Sequence, residues 1–215
     1  MARRPTNNDL RAVAMSTRRR MAEATAELAR ARLTPTDWYF AIGAALKDGH
    51  ENAYALGRRL SGDDKPRDVL DVLTAQAMLD EETYWLGRFA DDLVDGRYRD
   101  ETGALRTALV HARLELYVRK IRGTANEAFV EAGPPGESFE WRLTGIENHC
   151  DDCPRLAAMS PWASDELFTT PGRGGTPCLG NCKCVLVRLS DGARGFDRVD
   201  GPWPDVAEPE SVVAA

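Results

Sequence analysis

Apolar residues recur at intervals of three and four through the first 132 positions, and the period changes only beyond a Gly-Pro-Pro-Gly run. Residues 8–33 are rich in Ala, Arg, Glu and Met, which favour helix. Leu10, Val13, Met21, Ala24 and Leu28 form only a thin stripe there, so this helix has little to bury alone. Thr34-Pro35-Thr36-Asp37 is a helix-start signal, with Pro in the first turn and Thr or Asp to cap. A helix over residues 38–60 follows, with Trp38, Ile42, Ala45, Leu46, Ala53 and Leu56 on one face and a break predicted at Asp48-Gly49. Ser61-Gly62-Asp63-Asp64 is a turn. Pro66 opens a third helix carrying Val69, Leu73, Ala77, Leu86, Phe89 and Leu93. Asp95-Gly96 and Thr102-Gly103 bracket a short connection. A fourth helix over residues 104–132 carries Leu105, Leu109, Leu116, Ile121, Ala125 and Phe129. Gly133-Pro134-Pro135-Gly136 ends it, because proline cannot continue the ladder.

After Ser138 the alternation becomes strand-like, in residues 139–143 and again in residues 183–189. The stretch between them is full of turn formers, Pro171-Gly172-Arg173-Gly174-Gly175 among them, and is too long and polar to build a core. The expected fold class is α+β, mainly α: long N-terminal helices followed by a small zinc-stapled β/loop module. The expected organisation is a basic N-terminal helix or arm (1–33), a helical region (34–136), a cysteine-rich module (137–195) and an acidic, Pro-containing tail (196–215), extended or disordered.

Composition narrows the function classes. The chain has 215 residues, 43% apolar and 29% charged, which argues against wholesale disorder. A formal net charge of −6 argues against nonspecific binding to nucleic acid or membranes. The charge is uneven, with eight Arg against three acids in residues 1–32 and five acids against one Arg in residues 197–215. No stretch of apolar residues is long enough to span a bilayer, and the basic start lacks an apolar core behind it, so neither membrane insertion nor secretion is expected. A cytosolic setting with reduced thiols follows.

All five cysteines lie between positions 150 and 184. An odd count in one cluster points to metal rather than a disulfide framework. Cys150-x-x-Cys153 puts two thiolates on one tight turn, and Cys178, Cys182 and Cys184 face them from the far end of the loop. Zinc takes four such ligands at tetrahedral corners, and its binding contributes on the order of 10 kcal/mol to folding. Cys150 and Cys153 are the firm pair; two of Cys178, Cys182 and Cys184 complete the shell. The competing reading is a set of free buried cysteines. His149 is a candidate for supporting the ligands from outside the shell, since a residue adjacent to a ligand usually points elsewhere.

Catalytic templates fail at named positions. Zinc deaminases need His-x-Glu and Pro-Cys-x-x-Cys; here Pro177-Cys178 is followed by Cys182, and no His-x-Glu occurs. In the metalloprotease pattern His50-Glu51 would require a second His where Tyr54 stands. A closed thiolate shell has no open position for water, so no enzymatic role is expected. The Gly172–Gly175 run lacks the Lys-Ser/Thr of a phosphate loop and reads as a flexible turn. Of the paired carboxylates, Asp91-Asp92 reads as a solvated helix face, Asp63-Asp64 belongs to the polar turn, and Asp151-Asp152 can order the Cys-x-x-Cys turn. Arg18-Arg19-Arg20 reads either as a cation for phosphate or an acidic surface, or as a solvated face. Trp38, Tyr39, Phe40, Trp85 and Trp141 read as core anchors.

The order of these features resembles one family. Arg113-x-Glu115 and Ala125-Asn126-x-Ala128 close the helical region, and Trp141 and Cys150-Asp-Asp-Cys153 follow. Cys182-Lys183-Cys184 then enters a strand. This resembles the minor head, or head morphogenesis, proteins of tailed bacteriophages (the Mu F-like family), whose closing strand carries His-Pro-x-Cys-Arg-Cys. Here Lys183 stands for the Arg, and Cys178 takes roughly the place of the His with altered spacing. The likeness covers about residues 104–189. It implies a structural protein of the virion, at the portal vertex or capsid interior, and in the host cytoplasm during assembly. The expected partners are the portal protein, the major capsid protein, other copies of itself and packaged DNA, in head assembly and genome packaging or delivery. The apolar end Val212-Val213-Ala214-Ala215 would dock on such a partner or be disordered. No enzymatic or toxin domain is expected after residue 189. Two other classes stand beside this one. In a zinc-ribbon nucleic-acid-binding module, Arg173, Lys183, Arg188 and Arg194 would face phosphates. In a small nuclease or transferase, His149 would act with nearby acids.

Overall fold

The computed structural model describes residues 3–65, 69–145 and 148–204; the predicted Pro66 helix start and the apolar chain end lie outside them. α1 (Asn7–Ala29) starts where the Asp9 carboxylate accepts the Thr6 N–H at 2.6 Å. α2 (Pro35–Ser61) starts at a reciprocal cap: Asp37 N–H donates to Thr34 Oγ1 at 3.1 Å, and Thr34 N–H donates to the Asp37 carboxylate at 3.3 Å. It stops at Gly62, whose φ of 99° is a left-handed cap. α3 (Val69–Val94) and α4 (Thr107–Glu131) complete a four-helix assembly in which α2 packs against each of the others.

The break predicted at Asp48-Gly49 does not occur, and α2 runs through it. Gly49 serves packing instead. A Cβ there would lie 2.7 Å from Thr17 Oγ1 and 2.8 Å from Ile121 Cδ1, so the absent side chain lets α1, α2 and α4 converge. The thin stripe of α1 is enough because α1 lies against both α2 and α4, burying Leu10, Ala14, Met21 and Leu28. Among the anchors, Trp38 is buried edge-on against Phe89 at 5.2 Å between ring centroids, and Trp141 is buried near the sheet. Trp85 is 54% exposed, and Phe40 on α2 also faces outward; Val69, Leu73 and Tyr84 do so on α3, so helical spacing overstated the apolar face of α3. Arg18 is not solvated. It is 1% exposed and grips Glu115 on α4 through two hydrogen bonds, at 2.9 and 2.7 Å, while donating to the Val199 carbonyl at 3.0 Å.

Beyond α4 the chain forms a three-stranded antiparallel sheet ordered β2-β1-β3, from β1 (Ser138–Arg142), β2 (Trp162–Ala163) and β3 (Val185–Arg188). Phe139 pairs with Arg188 and Arg142 with Val185 across β1 and β3. α5 (Asp152–Ala158) packs on β1. The fold is therefore α+β and mainly α, with the cysteines gathered in the C-terminal part. The segment after β3 returns to the helices, where Phe196 and Val199 are buried in the main core. Among the described residues no helix is long and apolar enough to cross a membrane.

Candidate metal centre

Three short pieces of backbone aim the cysteines at one point. Cys150 and Cys153 share the turn that opens α5, where Cys153 N–H donates to the Cys150 carbonyl at 3.2 Å. Cys178 and Cys182 flank a single 3-10 turn, Leu179–Asn181, closed by Asn181 N–H on the Cys178 carbonyl at 2.8 Å. Gly180 lets that turn lie on α4, since a Cβ would meet Arg119 Cβ at 3.2 Å. Cys184 immediately precedes β3, so strand pairing fixes its place.

The sulfurs form a connected cluster. Cys150 Sγ is 3.3 Å from Cys153 Sγ and 3.4 Å from Cys178 Sγ. Cys153 Sγ is 3.7 Å from Cys178 Sγ and 3.8 Å from Cys182 Sγ. A tetrahedral zinc with sulfurs at about 2.3 Å has edges of about 3.8 Å, so these separations suit thiolates around an ion. Two trios, Cys150–Cys153–Cys178 and Cys153–Cys182–Cys184, each have all sulfurs within 4.8 Å of one another, and Cys153 belongs to both. The cluster could hold a metal ion. All five predicted ligands are thus brought together, with Cys153, Cys182 and Cys184 buried and Cys150 and Cys178 half-buried.

Without a metal, Cys153, Cys178 and Cys182 resist ionisation. Burial pushes the Cys178 thiol up to about 11. Burial, reinforced by Cys182, raises Cys153 far above the usual thiol range; for Cys182 the hydrogen bond with Cys184 leads and burial adds to it. At Cys150 burial also acts upward, but hydrogen bonds from Cys153 and Cys178 outweigh it and lower the thiol. A bound cation reverses this balance, because it stabilises every thiolate that contacts it.

His149 turns toward the sulfurs. Its Nε2 lies 2.9 Å from the Thr144 carbonyl oxygen and its Nδ1 lies 3.6 Å from Cys184 Sγ. Two further residues bind the module to α4, and Arg122 carried no motif signal. It has 0% exposure and donates to the main-chain oxygens of Phe196 (2.7 Å), Cys182 and Cys184. Burial lowers its guanidinium to about 10, so it stays charged at neutral pH. Its sequence cue is helical register with the apolar Val118, Ala125 and Phe129. Asn126, one turn on, donates to the Pro171 carbonyl at 2.9 Å and accepts the Phe196 N–H at 2.7 Å.

Three of the four cations considered for phosphate binding have carboxylate partners, and the fourth, Lys183, is exposed. Arg173 pairs with Glu81 at 2.7 Å and Glu127 at 2.5 Å, Arg188 with Asp191 at 2.9 Å, and Arg194 with Asp197 at 2.7 Å. Arg173 stands at the rim of a cleft of about 730 Å³ between α3, α4 and the loop before Cys178, lined also by Lys120, Glu131 and Phe168. No protein-family model matches the chain, and comparison with curated proteins and with solved structures finds no match either.

Proposed function

We propose that the cysteine cluster is a structural zinc centre, in which Cys150, Cys153, Cys178 and Cys182 supply four thiolates to one ion and staple the module onto α4. The observation that carries this reading is the run of sulfur separations from 3.3 to 3.8 Å among Cys150, Cys153, Cys178 and Cys182, which two separate backbone segments bring together. Thiolate donors suit zinc above the harder divalent cations. The test is elemental analysis of the purified chain together with thiol titration. Protein-bound zinc with shielded thiols is the expected result; a metal-free protein whose five thiols all react freely would reject it.

We further propose that the chain is a minor head protein of a tailed phage, acting at the portal vertex or capsid interior. The support is the motif order from Arg113-x-Glu115 through Cys182-Lys183-Cys184. Apolar side chains on the outer face of α3, among them Leu73, Tyr84 and Trp85, give an assembly partner something to cover. Co-sedimentation with portal protein tests it, and a chain that stays in the supernatant with both portal and capsid protein would reject it. The ion pairs of Arg173, Arg188 and Arg194 weigh against the nucleic-acid-binding alternative.

A further inference from the structure

We infer that the outer face of α3 is a self-association surface, on which two copies of the chain pair antiparallel about Tyr84. This rests on the reading of that face as an assembly surface and names its occupant, a second copy.

α3 packs mainly on α2 and stands at the outside of the helical assembly. Leu73, Ala77, Asp80, Tyr84, Arg88 and Asp91, spaced by three or four, form one exposed ridge along it. Leu73 and Tyr84 are 57% and 65% exposed, and Val94 at the edge of the ridge is 69% exposed. Large apolar side chains set this far into solvent in one row suit a protein partner better than water.

Two charges on the ridge are open to that partner. Among the described residues Arg88 makes no ion pair, and Asp80 accepts only from Gln76 of its own helix, at 2.8 Å. Gly87 keeps the surface beside Tyr84 flat, since a Cβ there would have no atom of the chain within 4 Å.

The order of charges selects the occupant. A two-fold axis beside Tyr84 brings residues equally far before and after it level with each other across the contact. Asp80 and Arg88 each lie four residues from Tyr84, so two reciprocal ion pairs form. Glu81 comes level with Gly87, and Asp91 with Ala77. Leu73, eleven residues before Tyr84, meets Val94, ten residues after it, at both ends of the contact. Moving the axis one turn either way sets Asp80 against Asp80 or Arg88 against Arg88, and like charges brought level oppose association.

Sedimentation equilibrium of the full chain tests this contact. The parent protein should show a monomer–dimer equilibrium in the micromolar range. Asp80→Arg brings arginines level and Arg88→Asp brings aspartates level, so each should weaken the dimer by about tenfold or more. Both side chains are exposed, so each variant should keep the parent's far-ultraviolet dichroism. An equimolar mixture of the two variants should regain the dimer, because every charge then meets its opposite. A parent chain still monomeric at about 0.1 mM, single variants that dimerise like the parent, or a mixture that regains no dimer would each overturn the inference. Portal binding is read separately. A monomer that co-sediments with portal protein overturns this contact and leaves the virion reading, whereas a dimer that does not co-sediment does the reverse.

Discussion

Arg122 donates from the middle of α4 to the carbonyl oxygen of Cys184, linking the helical core to the start of β3. The same guanidinium holds the carbonyls of Cys182 and Phe196, so one side chain fixes two of the candidate ligands and the segment that follows the sheet. Metal affinity should therefore depend on Arg122. Replacing it by Met leaves three buried carbonyls short of a donor and removes the cation facing the thiolates. A competition titration with a chromophoric chelator should show zinc affinity reduced at least tenfold, about 1.4 kcal/mol. Arg122→Lys, which keeps the charge but not the fork of donors, should fall between. Equal affinities for all three proteins would mean that Arg122 only fills space.

Removing the metal should open one part of the chain. Phe139, Trp141, Leu156 and Leu186 lie on the sheet and α5 and share one continuous buried core with Cys153, Cys182 and Cys184 and with Trp38, Ile42, Leu46, Phe89 and Ile121 of the long helices. Chelation should abolish much of the near-ultraviolet dichroism while keeping most of the helical far-ultraviolet signal. A loss of several kcal/mol in a protein of this size lowers the melting midpoint by roughly 10 °C or more. An unchanged midpoint after verified metal loss would show that the apolar contacts alone hold the module.

The sequence announces these elements unevenly, for physical reasons. Thr34-Pro35-Thr36-Asp37 is legible because a cap is a local device, satisfied within four residues. The cysteine cluster is legible because soft sulfur donors crowded into one stretch of chain are the mark of a metal site. Arg18 and Arg122 are illegible because a buried arginine looks like a surface one until its partner is known, and Glu115 lies 97 residues away from Arg18. His149 is legible only as a neighbour of Cys150, because adjacency says nothing of the ring's direction until β3 brings Cys184 beside it. The overstated apolar face of α3 has a similar origin, because spacing defines a stripe but not what covers it.

Glycines in α2 should separate packing from propensity. At Gly57 a Cβ would lie 2.1 Å from the Ala125 carbonyl oxygen, closer than any side chain can sit without moving α4. Gly57→Ala should cost about 2–3 kcal/mol in urea unfolding despite the gain in helix propensity. Gly43 has no atom within 4 Å of such a Cβ, so Gly43→Ala should stabilise by roughly 0.5–1 kcal/mol. Matching effects at the two sites would contradict the close α2–α4 approach.

His111 and Trp203 provide a pH test of the segment after β3. Their rings stack at 4.4 Å between centroids with an interplanar angle of 8°. Burial lowers the His111 imidazole below its ordinary value, since the protonated ring would be desolvated. The folded state therefore binds the proton more weakly than the unfolded chain. The stacking contribution is complete above the unfolded value near 6.5 and declines as the pH falls through it toward the depressed folded value. The loss should stay under about 1 kcal/mol, because the ring is half-exposed and solvent screens it. Urea midpoints at about pH 7.5 and about pH 5.5 measure the total pH dependence, and His111→Phe keeps the stack while removing the titration. The variant should lose less stability on acidification than the parent protein; identical slopes would place the acid sensitivity on other groups.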